Sequence, residues 1–336
     1  MSKVRNIVYG LALGDAIGFR VEDEPFERIV NGYASEDLHT VREKMWVSDD
    51  TTMSLYLMQG IKNSLHPENP IKEQMPLIAE SIARSLLEWF DNPDCLVGRG
   101  HACKTSLLSL KLHLEGNPEI IDFFHGSDDQ SKGSGAVMRS PWLGVLHAKG
   151  ILNDLELENL CTVQSLVTHR NLTAIHSSYL VARIVSALYA GETLPGSVKE
   201  FAEKICFAGE PDEGWDEIID TLKLIEKLPA DYKETAAEDF DPSSVLGYGG
   251  TSAEVLSHAI AFIDYFGHDP VEVLKRSLFT GGDSDTIGAI AGAMAGASNA
   301  ENVWNGVDDI IEDFFIEALD STVDYLNLLE GTENPS

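Results

Sequence analysis

The protein has 336 residues, 43% of them hydrophobic, so it can bury a sizeable core as one large domain or as two ordinary ones. Its 24 basic and 55 acidic residues give a net charge of −31, and a field of that sign repels phosphate backbones and anionic membranes. Nucleic acid is therefore not expected as a partner. A phosphate-bearing ligand would need local attraction from metal ions, backbone N–H groups or helix N-termini.

Cysteine usage and hydropathy indicate a cytoplasmic protein without a membrane segment. The cysteines, at positions 95, 103, 161 and 206, are widely spaced and include no CxxC pair, which favours reduced thiols over a disulfide framework. Asp15 interrupts the apolar N-terminal run, so a signal peptide is not predicted, and no stretch reaches transmembrane length. We expect a monomer.

Two acidic segments come first along the chain. Residues 10–22, GLALGDAIGFRVE, place Asp15 and Glu22 in a glycine-punctuated turn after a short apolar helix, and alone they indicate a helix C-cap with surface acids. Residues 47–58, VSDDTTMSLYLM, place Asp49 and Asp50 at the start of an apolar helix. An aspartate there is a favoured N-cap that complements the helix dipole, but two carboxylates exceed what one cap needs.

The middle of the chain combines helices with glycine-rich loops. A shared apolar face at positions 78, 82, 86 and 89 predicts a helix. GRGHAC, residues 98–103, lacks the third glycine of a dinucleotide fingerprint. In KGSGAVMRSPWLG, residues 132–144, the glycines would let backbone amides approach a phosphate or a ribose, although the loop matches neither a P-loop nor a nucleophile elbow.

His169 lies in THRNLTAIHSSYLVA, residues 168–182, just before another apolar-periodic helix that Asn171 or Thr173 could cap. A single histidine at a helix entry is usually structural, and no HxxxH or HExxH spacing indicates zinc. Residues 209–249 combine prolines with closely spaced acidic residues around one short helix, which predicts an acidic surface excursion.

The C-terminal part repeats the acidic design. The segment TGGDSDTIGAIAG, residues 280–292, places Asp283 and Asp285 before an apolar helix. Helix capping is again an alternative to a chemical role for these aspartates. Glycines at 288, 292 and 296 line one face of that helix, so we expect neighbouring helices to approach it closely and to hold its N-terminus in the middle of the protein. Helical faces recur at 255–266 and 311–322, and the tail at 331–336 is expected to be disordered.

The whole pattern predicts an all-α protein with few or no strands, because alternating β-branched runs bounded by tight turns are nearly absent. Convergence of the two aspartate pairs is not visible in the sequence. If the four carboxylates meet, they repel one another unless cations lie among them, and hard, oxygen-preferring ions such as Mg²⁺ or Mn²⁺ meet that requirement.

Taken in order, GDAIGFRVE, SDDT, GSGAVMR, THRNLTAIHSS and GGDSDTIGAIAGAMAGA resemble the ADP-ribosylglycohydrolase family over roughly residues 5–300. The resemblance implies an all-α, compact single-domain orthogonal helical bundle that covers residues 1–336. It also implies two divalent cations, Mg²⁺ or Mn²⁺, and cleavage of ADP-ribose from an acceptor at the anomeric carbon. The substrate would be an ADP-ribosylated protein or small molecule, and ADP-ribose the product.

The resemblance also assigns residues. Glu22 would be a mobile acid–base residue, with the Asp49 and Asp50 pair shared between metal binding and water activation. The implied metal ligands are Ser48, Asp49, Asp50, Asp283, Asp285 and Thr286. The implied substrate contacts are Gly100, Gly133, Ser134, Gly135, Ala136, Met138, His169 and Tyr248.

Three positions depart from the family pattern. Ser48 stands where the family usually has threonine, which keeps a hydroxyl, and Ser134 stands where it usually has asparagine. Family members often carry a tyrosine at the start of the helix that follows GYGG. Alignment on the helix places Thr251 there, whereas Tyr248 matches only with a shift of register.

Arginine-linked ADP-ribose is the favoured substrate, because the layout resembles the arginine-directed branch of the family. Serine, a nucleic-acid base and an acetyl ester stay open as acceptors. Clustered aspartates with two hard cations also suit a nucleotide phosphohydrolase, which is a second hypothesis. A third is a non-catalytic ADP-ribose-binding member, which the retention of all four aspartates disfavours.

Overall fold

The structure, a computed structural model, describes residues 3–33, 38, 43–95, 97–116, 122–192, 196–304 and 308–329. The predicted tail at 331–336 lies outside these residues. The α-helices are α1 (Lys3–Phe19), α2 (Phe26–Tyr33), α3 (Asp49–Ser64), α4 (Ile71–Asp91), α5 (His101–Gly116), α6 (Leu143–Ala148), α7 (Asp154–Leu166), α8 (Leu172–Ala190), α9 (Val198–Ala208), α10 (Glu213–Leu222), α11 (Ser243–Leu246), α12 (Ser252–Phe266), α13 (Pro270–Leu278), α14 (Ser284–Ser298) and α15 (Asp313–Leu328).

Short 3₁₀ turns join several helices, at Pro93–Cys95, Ser134–Ala136, Lys223–Lys227, Ala237–Asp239 and Asp308–Ile310. Over the described ranges β-structure is limited to isolated bridges, Met45 with Ile311 and Asp128 with His169. The prediction of an all-α fold is therefore confirmed. None of the helices in the described part of the chain is both long and apolar enough to cross a membrane.

The centre of the molecule is an antiparallel pair formed by α1 and α14. Gly10 faces Gly292, and Gly14 faces Gly288, so closely that a methyl group on any of them would overlap the opposite backbone carbonyl. The glycine face predicted for α14 thus permits backbone contact between two fully buried helices. Because the pair is antiparallel, the end of α1 lies beside the start of α14.

Two of the apolar faces predicted from periodicity, those of α4 and α12, are buried in the core, whereas in the predicted face at 311–322 Ile311 precedes α15 and Ala318 is exposed. On α4 the side chains of Ile78, Ile82, Leu86 and Trp89 are all buried. On α12 the whole face from Val255 to Phe266 is likewise buried. The match arises because a 3.6-residue repeat places these side chains on one side of each helix.

Residues 209–249 form α10, α11 and two 3₁₀ turns. Trp215, Ile218, Leu222 and Tyr232 are buried, and α10 packs on α8 and α12. This segment therefore contributes apolar side chains to the core, and only its acidic face meets solvent. The many acidic residues made the buried apolar positions of α10 hard to recognise in the sequence, although these positions repeat at the spacing of one helix face.

Candidate active site

A cavity of about 300 Å³ collects segments that are far apart in the sequence. It is lined by the turn after α1, the starts of α3 and α14, residues 98 and 100–103, the glycine-rich loop and His169. All of the residues assigned from the sequence line it except Ser48, Ala136 and Tyr248. The volume lies at the lower end of the range for small-molecule sites, which is about 300–1,000 Å³.

The cavity is strongly acidic. Among the described residues that line it there is no lysine or arginine, whereas the carboxylates are Glu22, Asp23, Asp49, Asp50, Asp283 and Asp285. Asp49, Asp50 and Asp285 are almost completely buried. Burial therefore brings several negative charges together without a protein cation at the cavity wall.

Helix capping does not account for these carboxylates. The N-cap of α3 is Ser48, whose hydroxyl accepts a hydrogen bond from the Asp50 amide. Asp283 occupies the N-cap position of α14, but its side chain makes no capping hydrogen bond. The aspartate side chains are therefore available for another role.

The pKa values of the cluster reflect burial and mutual repulsion. Burial, followed by the charge of Asp15, raises the pKa of Asp49 and of Asp50 well above its ordinary range. Burial, followed by the charge of Asp50, does the same to Asp285. Burial and the charge of Asp283 raise the pKa of Glu22 to about 7. Without a cation, the folded protein holds protons in this cavity near neutral pH.

The donor atoms fit a hard divalent cation. Carboxylate and hydroxyl oxygens are what Mg²⁺ and Mn²⁺ prefer, and Asp50 Oδ1 is buried without a hydrogen-bond partner among the described residues. Ser48 donates its hydroxyl to Asp50 Oδ2 over 3.2 Å. Within the described ranges no three acidic, histidine or cysteine side chains already meet closely enough to hold an ion, so a cation would draw these carboxylates together.

Asp15 is the residue whose importance the sequence interpretation missed. It lies fully buried in α1, not at a surface cap, and it accepts hydrogen bonds from the Ser48 amide at 2.9 Å and from the Thr51 amide at 3.0 Å. The Thr51 hydroxyl donates to the same carboxylate. Asp15 therefore fixes the turn that carries Asp49 and Asp50. An aspartate inside an otherwise apolar helix was the available signal.

We expect Asp15→Ala to lower the free energy of unfolding by about 3 kcal/mol or more, because buried N–H and O–H donors would lose their acceptor. Turnover should fall by about 10- to 100-fold through misplacement of the aspartates, as for other residues that orient ligands. Urea unfolding and steady-state kinetics test both effects. Thr51→Ser retains the hydroxyl and should behave as wild type. Wild-type stability and turnover in Asp15→Ala would refute this role.

The glycine-rich loop is held from behind by Arg139, which is fully buried. Arg139 donates to the Gly135 carbonyl at 2.8 Å, to the Gln164 side chain at 2.6 Å and to the Thr168 hydroxyl at 2.9 Å. This places a positive charge behind the loop, which lines the cavity. The loop is thereby rigidly positioned to meet a ligand.

His169 is a neutral hydrogen-bonding group on the same wall. Burial, reinforced by Arg139, lowers its pKa to about 3. Its Nδ1 lies 2.9 Å from the Thr168 hydroxyl, whose own acceptor position is used by Arg139. The threonine proton can then be donated to Nδ1, which leaves the ring proton on Nε2, on the side of Gly133. His169 can therefore donate a hydrogen bond to a ligand oxygen.

Comparisons with known proteins agree with this architecture. The sequence profile described as ADP-ribosylglycohydrolase matches residues 1–308. The chain belongs to the ADP-ribosylglycohydrolase family. It is 26% identical over 319 residues to the uncharacterised protein YegU of Escherichia coli, with 89% of this chain and 88% of YegU covered. It is 25% identical over 332 residues to an uncharacterised protein of Archaeoglobus fulgidus, with 94% of each chain covered.

A solved structure described as an ADP-ribosylglycohydrolase-related protein complex is similar in fold. It superposes with a TM-score of 0.63 at 19% identity, and 97% of this chain and 96% of that chain are covered. At this identity the likeness establishes the fold shared within the ADP-ribosylglycohydrolase family.

Two substrate contacts implied by the resemblance are absent from the cavity wall of this member of the family. Ala136 is fully buried in the 3₁₀ turn, where its carbonyl accepts from Gln164. Tyr248 is 61% exposed and lies outside the described cavity lining, and its carbonyl accepts a hydrogen bond from the Asp283 amide at 3.0 Å. Thr251, the alternative alignment, is the N-cap of α12.

Other residues of the cavity were not assigned from the sequence. They are Asp23, Gly98, His101, Ala102, Cys103 and Ser131. The GRGHAC segment was compared only with the dinucleotide fingerprint. In the structure Gly98 has a φ of +78° and lies so close to Asp49 that a side chain would not fit. Burial raises the pKa of the Cys103 thiol to about 12, so it is not a thiolate nucleophile.

Proposed function

We propose that this protein is a divalent-metal-dependent hydrolase that releases ADP-ribose from an acceptor by cleavage at the anomeric carbon, with an arginine N-linkage as the favoured substrate. The observation that carries the proposal is the acidic cavity. Its described lining residues combine six carboxylates, and no lysine or arginine, with a glycine-rich loop and a neutral histidine. Such a cavity can hold a ribose, its phosphates and divalent cations together.

The proposed ligands of two Mg²⁺ or Mn²⁺ ions are the acidic and hydroxyl residues at the starts of α3 and α14, namely Ser48, Asp49, Asp50, Asp283, Asp285 and Thr286. Bound cations would supply the positive charge that neutralises this cluster and orients ribose hydroxyls and water. The unpaired Asp50 Oδ1 supports this assignment, because a buried carboxylate oxygen without a partner is costly.

Glu22 is the proposed acid–base residue. Cleavage at an anomeric carbon requires a proton for the leaving group and removal of a proton from the attacking water. Burial and the neighbouring Asp283 raise its pKa to about 7, so protonated and ionised forms are both present near neutral pH. Glu22 is only partly exposed, in a turn that Asp23 ties to the Gly282 carbonyl at 2.9 Å.

The pyrophosphate is expected to rest on backbone amides, since no basic side chain of the described residues lines the cavity. The Gly135 amide is the first candidate, because a glycine allows close backbone approach. The Gly133 amide donates to the Ser131 hydroxyl at 3.3 Å and the Gly100 amide to Asp49, so each would exchange that partner for a phosphate oxygen. His169 would add a donor from Nε2. This arrangement agrees with a net charge of −31, which requires that attraction for phosphate be local.

An arginine acceptor suits the charge of the cavity. Its guanidinium is always cationic and pairs well with carboxylates, and Glu22 and Asp23 line the cavity together with the proposed metal ligands. A neutral serine acceptor would gain no ionic attraction from the Glu22 and Asp23 carboxylates. This supports the arginine linkage over the serine linkage.

Product analysis tests the proposal. The protein would be incubated with arginine-linked and serine-linked ADP-ribosyl peptides, each with and without Mg²⁺, and the products separated by chromatography. We expect intact ADP-ribose, more of it from the arginine linkage, and only with Mg²⁺. AMP or phosphate as the first product would instead identify a phosphohydrolase. Binding of ADP-ribose without turnover of either peptide would identify a non-catalytic member.

Stability should depend on metal and pH together. Raised carboxyl pKa values mean that the metal-free folded state keeps protons that the unfolded chain has lost, so these groups cost stability as the pH rises through about 6 for Asp15 and about 7 for Glu22. Divalent cations replace those protons. We therefore expect MgCl₂ to raise Tm by several degrees more at pH 8 than at pH 5.5.

Thermal unfolding by differential scanning fluorimetry measures this difference, with NaCl at equal ionic strength as the control. Because each comparison is made at one pH, the buried histidines contribute equally with and without MgCl₂. An equal Tm increase at both pH values would contradict proton displacement from the cluster.

A further inference from the structure

A second cavity, larger than the acidic one, lies between α3 and α15. Its volume is about 510 Å³, within the range of small-molecule sites, which is about 300–1,000 Å³. One wall is the face of α3 that includes Thr52, Tyr56 and Gln59, and another is the face of α15 that includes Phe315 and Tyr325. Residues Asn92 and Cys95, after α4, complete it.

The lining of this cavity differs in charge from the rest of the protein. In a chain with a net charge of −31, no aspartate or glutamate of the described residues lines it, and Lys62 is the one charged residue among those that do. Within the described residues the Lys62 ammonium has no carboxylate partner and lies 5.8 Å from the centre of the Tyr325 ring. A ligand carboxylate would supply the missing partner.

Flat rings and amides make up much of the remaining surface. The rings are those of Tyr56, Phe314, Phe315 and Tyr325, and the amides those of Gln59, Asn63 and Asn92. The Tyr325 hydroxyl is buried and, within the described residues, has no hydrogen-bond partner. Aromatic walls favour a flat apolar body, and the amides and hydroxyl favour polar groups at its edge.

The neighbouring surface limits the charge of a ligand. An adjoining cavity shares Lys62, Ser321 and Tyr325 with this one and is also lined by Glu317, Asp320 and Asp324. Those acids would repel a ligand that carries several negative charges. One carboxylate is therefore the charge that fits, which excludes a nucleoside diphosphate.

We propose that the cavity between α3 and α15 is a second ligand site, separate from the acidic cavity, that binds a flat aromatic monocarboxylate. The carboxylate pairs with Lys62 and the ring lies among Tyr56, Phe315 and Tyr325. The two cavities lie along the same helix, because Asp49 and Asp50 at the start of α3 line one and Thr52 and Tyr56 line the other. The proposal does not depend on hydrolysis.

Fluorescence titration of the full chain with 2-naphthoate tests the site, with the neutral isostere 2-naphthamide for comparison. We expect saturable binding of 2-naphthoate, about tenfold tighter than that of the amide because of the charge-assisted contact. Lys62→Met should abolish this preference. Ala318→Trp, which places an indole in the cavity, should weaken both ligands by about tenfold or more.

Matched variants separate the effects. Lys72→Met and Ala208→Trp change exposed residues away from the cavity and should bind both ligands as wild type does. The Asp285→Asn variant, altered only in the acidic cavity, should also bind 2-naphthoate normally. The proposal is overturned if no saturable binding occurs, if Lys62→Met keeps the preference, or if Asp285→Asn loses binding while Ala318→Trp does not.

Discussion

Asp285→Asn should lower kcat/KM by about 10³-fold while leaving the fold intact. The side chain is almost fully buried at the start of α14, where burial and the charge of Asp50 raise its pKa well above the ordinary range. An amide removes one negative charge from a cluster that requires cations. The metal-free variant should therefore be at least as stable as wild type, whereas its Tm increase with MgCl₂ should shrink.

Steady-state kinetics and thermal unfolding with and without MgCl₂ measure the two effects of this variant. Asp216→Asn, in the first turn of α10 and exposed to solvent, is the matched control and should match wild type in both. Unchanged turnover in Asp285→Asn would remove this residue from the site. A large loss of stability without metal would mean that it has a structural role instead.

Gly14→Ala should destabilise the protein by about 3 kcal/mol or more. The added methyl would overlap the Gly288 carbonyl, and backbone on both sides prevents relief by side-chain rotation. The α1 and α14 helices must then separate, which also moves Asp15 and Asp285 relative to each other. Turnover of the folded fraction should therefore fall as well.

Urea unfolding monitored by tryptophan fluorescence measures the change for Gly14→Ala. Gly32→Ala on α2 is the control, because nothing lies within 4 Å of the added methyl and alanine is the better helix former by about 1 kcal/mol. It should be as stable as wild type or more so. Equal stability of Gly14→Ala and Gly32→Ala would contradict close packing at the centre of the fold.

Helical periodicity and the glycine spacing of α14 could be interpreted from the sequence because both are local patterns with one geometric meaning. The faces of α4 and α12 are buried as predicted. The partner of the glycine face carried the same signal, because Gly10, Gly14 and Gly18 of α1 also lie four residues apart. These glycines were interpreted as a turn, and only the contact with α14 shows that they form the matching helix face.

The candidate site was partly predictable for a different reason. The paired aspartates at the starts of α3 and α14 exceed what capping needs, and the structure places Ser48 as the cap of α3. The role of Asp15 was hidden because its burial depends on tertiary packing. Tyr248 was assigned through its side chain, whereas its backbone carbonyl supports Asp283, a contact that no sequence pattern records.

The cavity between α3 and α15 could not be predicted either. Its walls come from residues about 260 positions apart, such as Tyr56 and Phe315, and each wall alone has the pattern of an ordinary amphipathic helix. Lys62 resembles any surface lysine in the sequence. Only its position among aromatic rings, without an acidic neighbour in the lining, gives it a distinctive environment.

Metal removal tests the central claim most directly. The protein would be treated with excess EDTA, dialysed, and assayed on an arginine-linked ADP-ribosyl peptide by release of intact ADP-ribose. We expect turnover to fall to background and to return when Mg²⁺ or Mn²⁺ is added, because among the described residues no lysine or arginine lines the cavity beside its six carboxylates. Full turnover in EDTA would contradict the account.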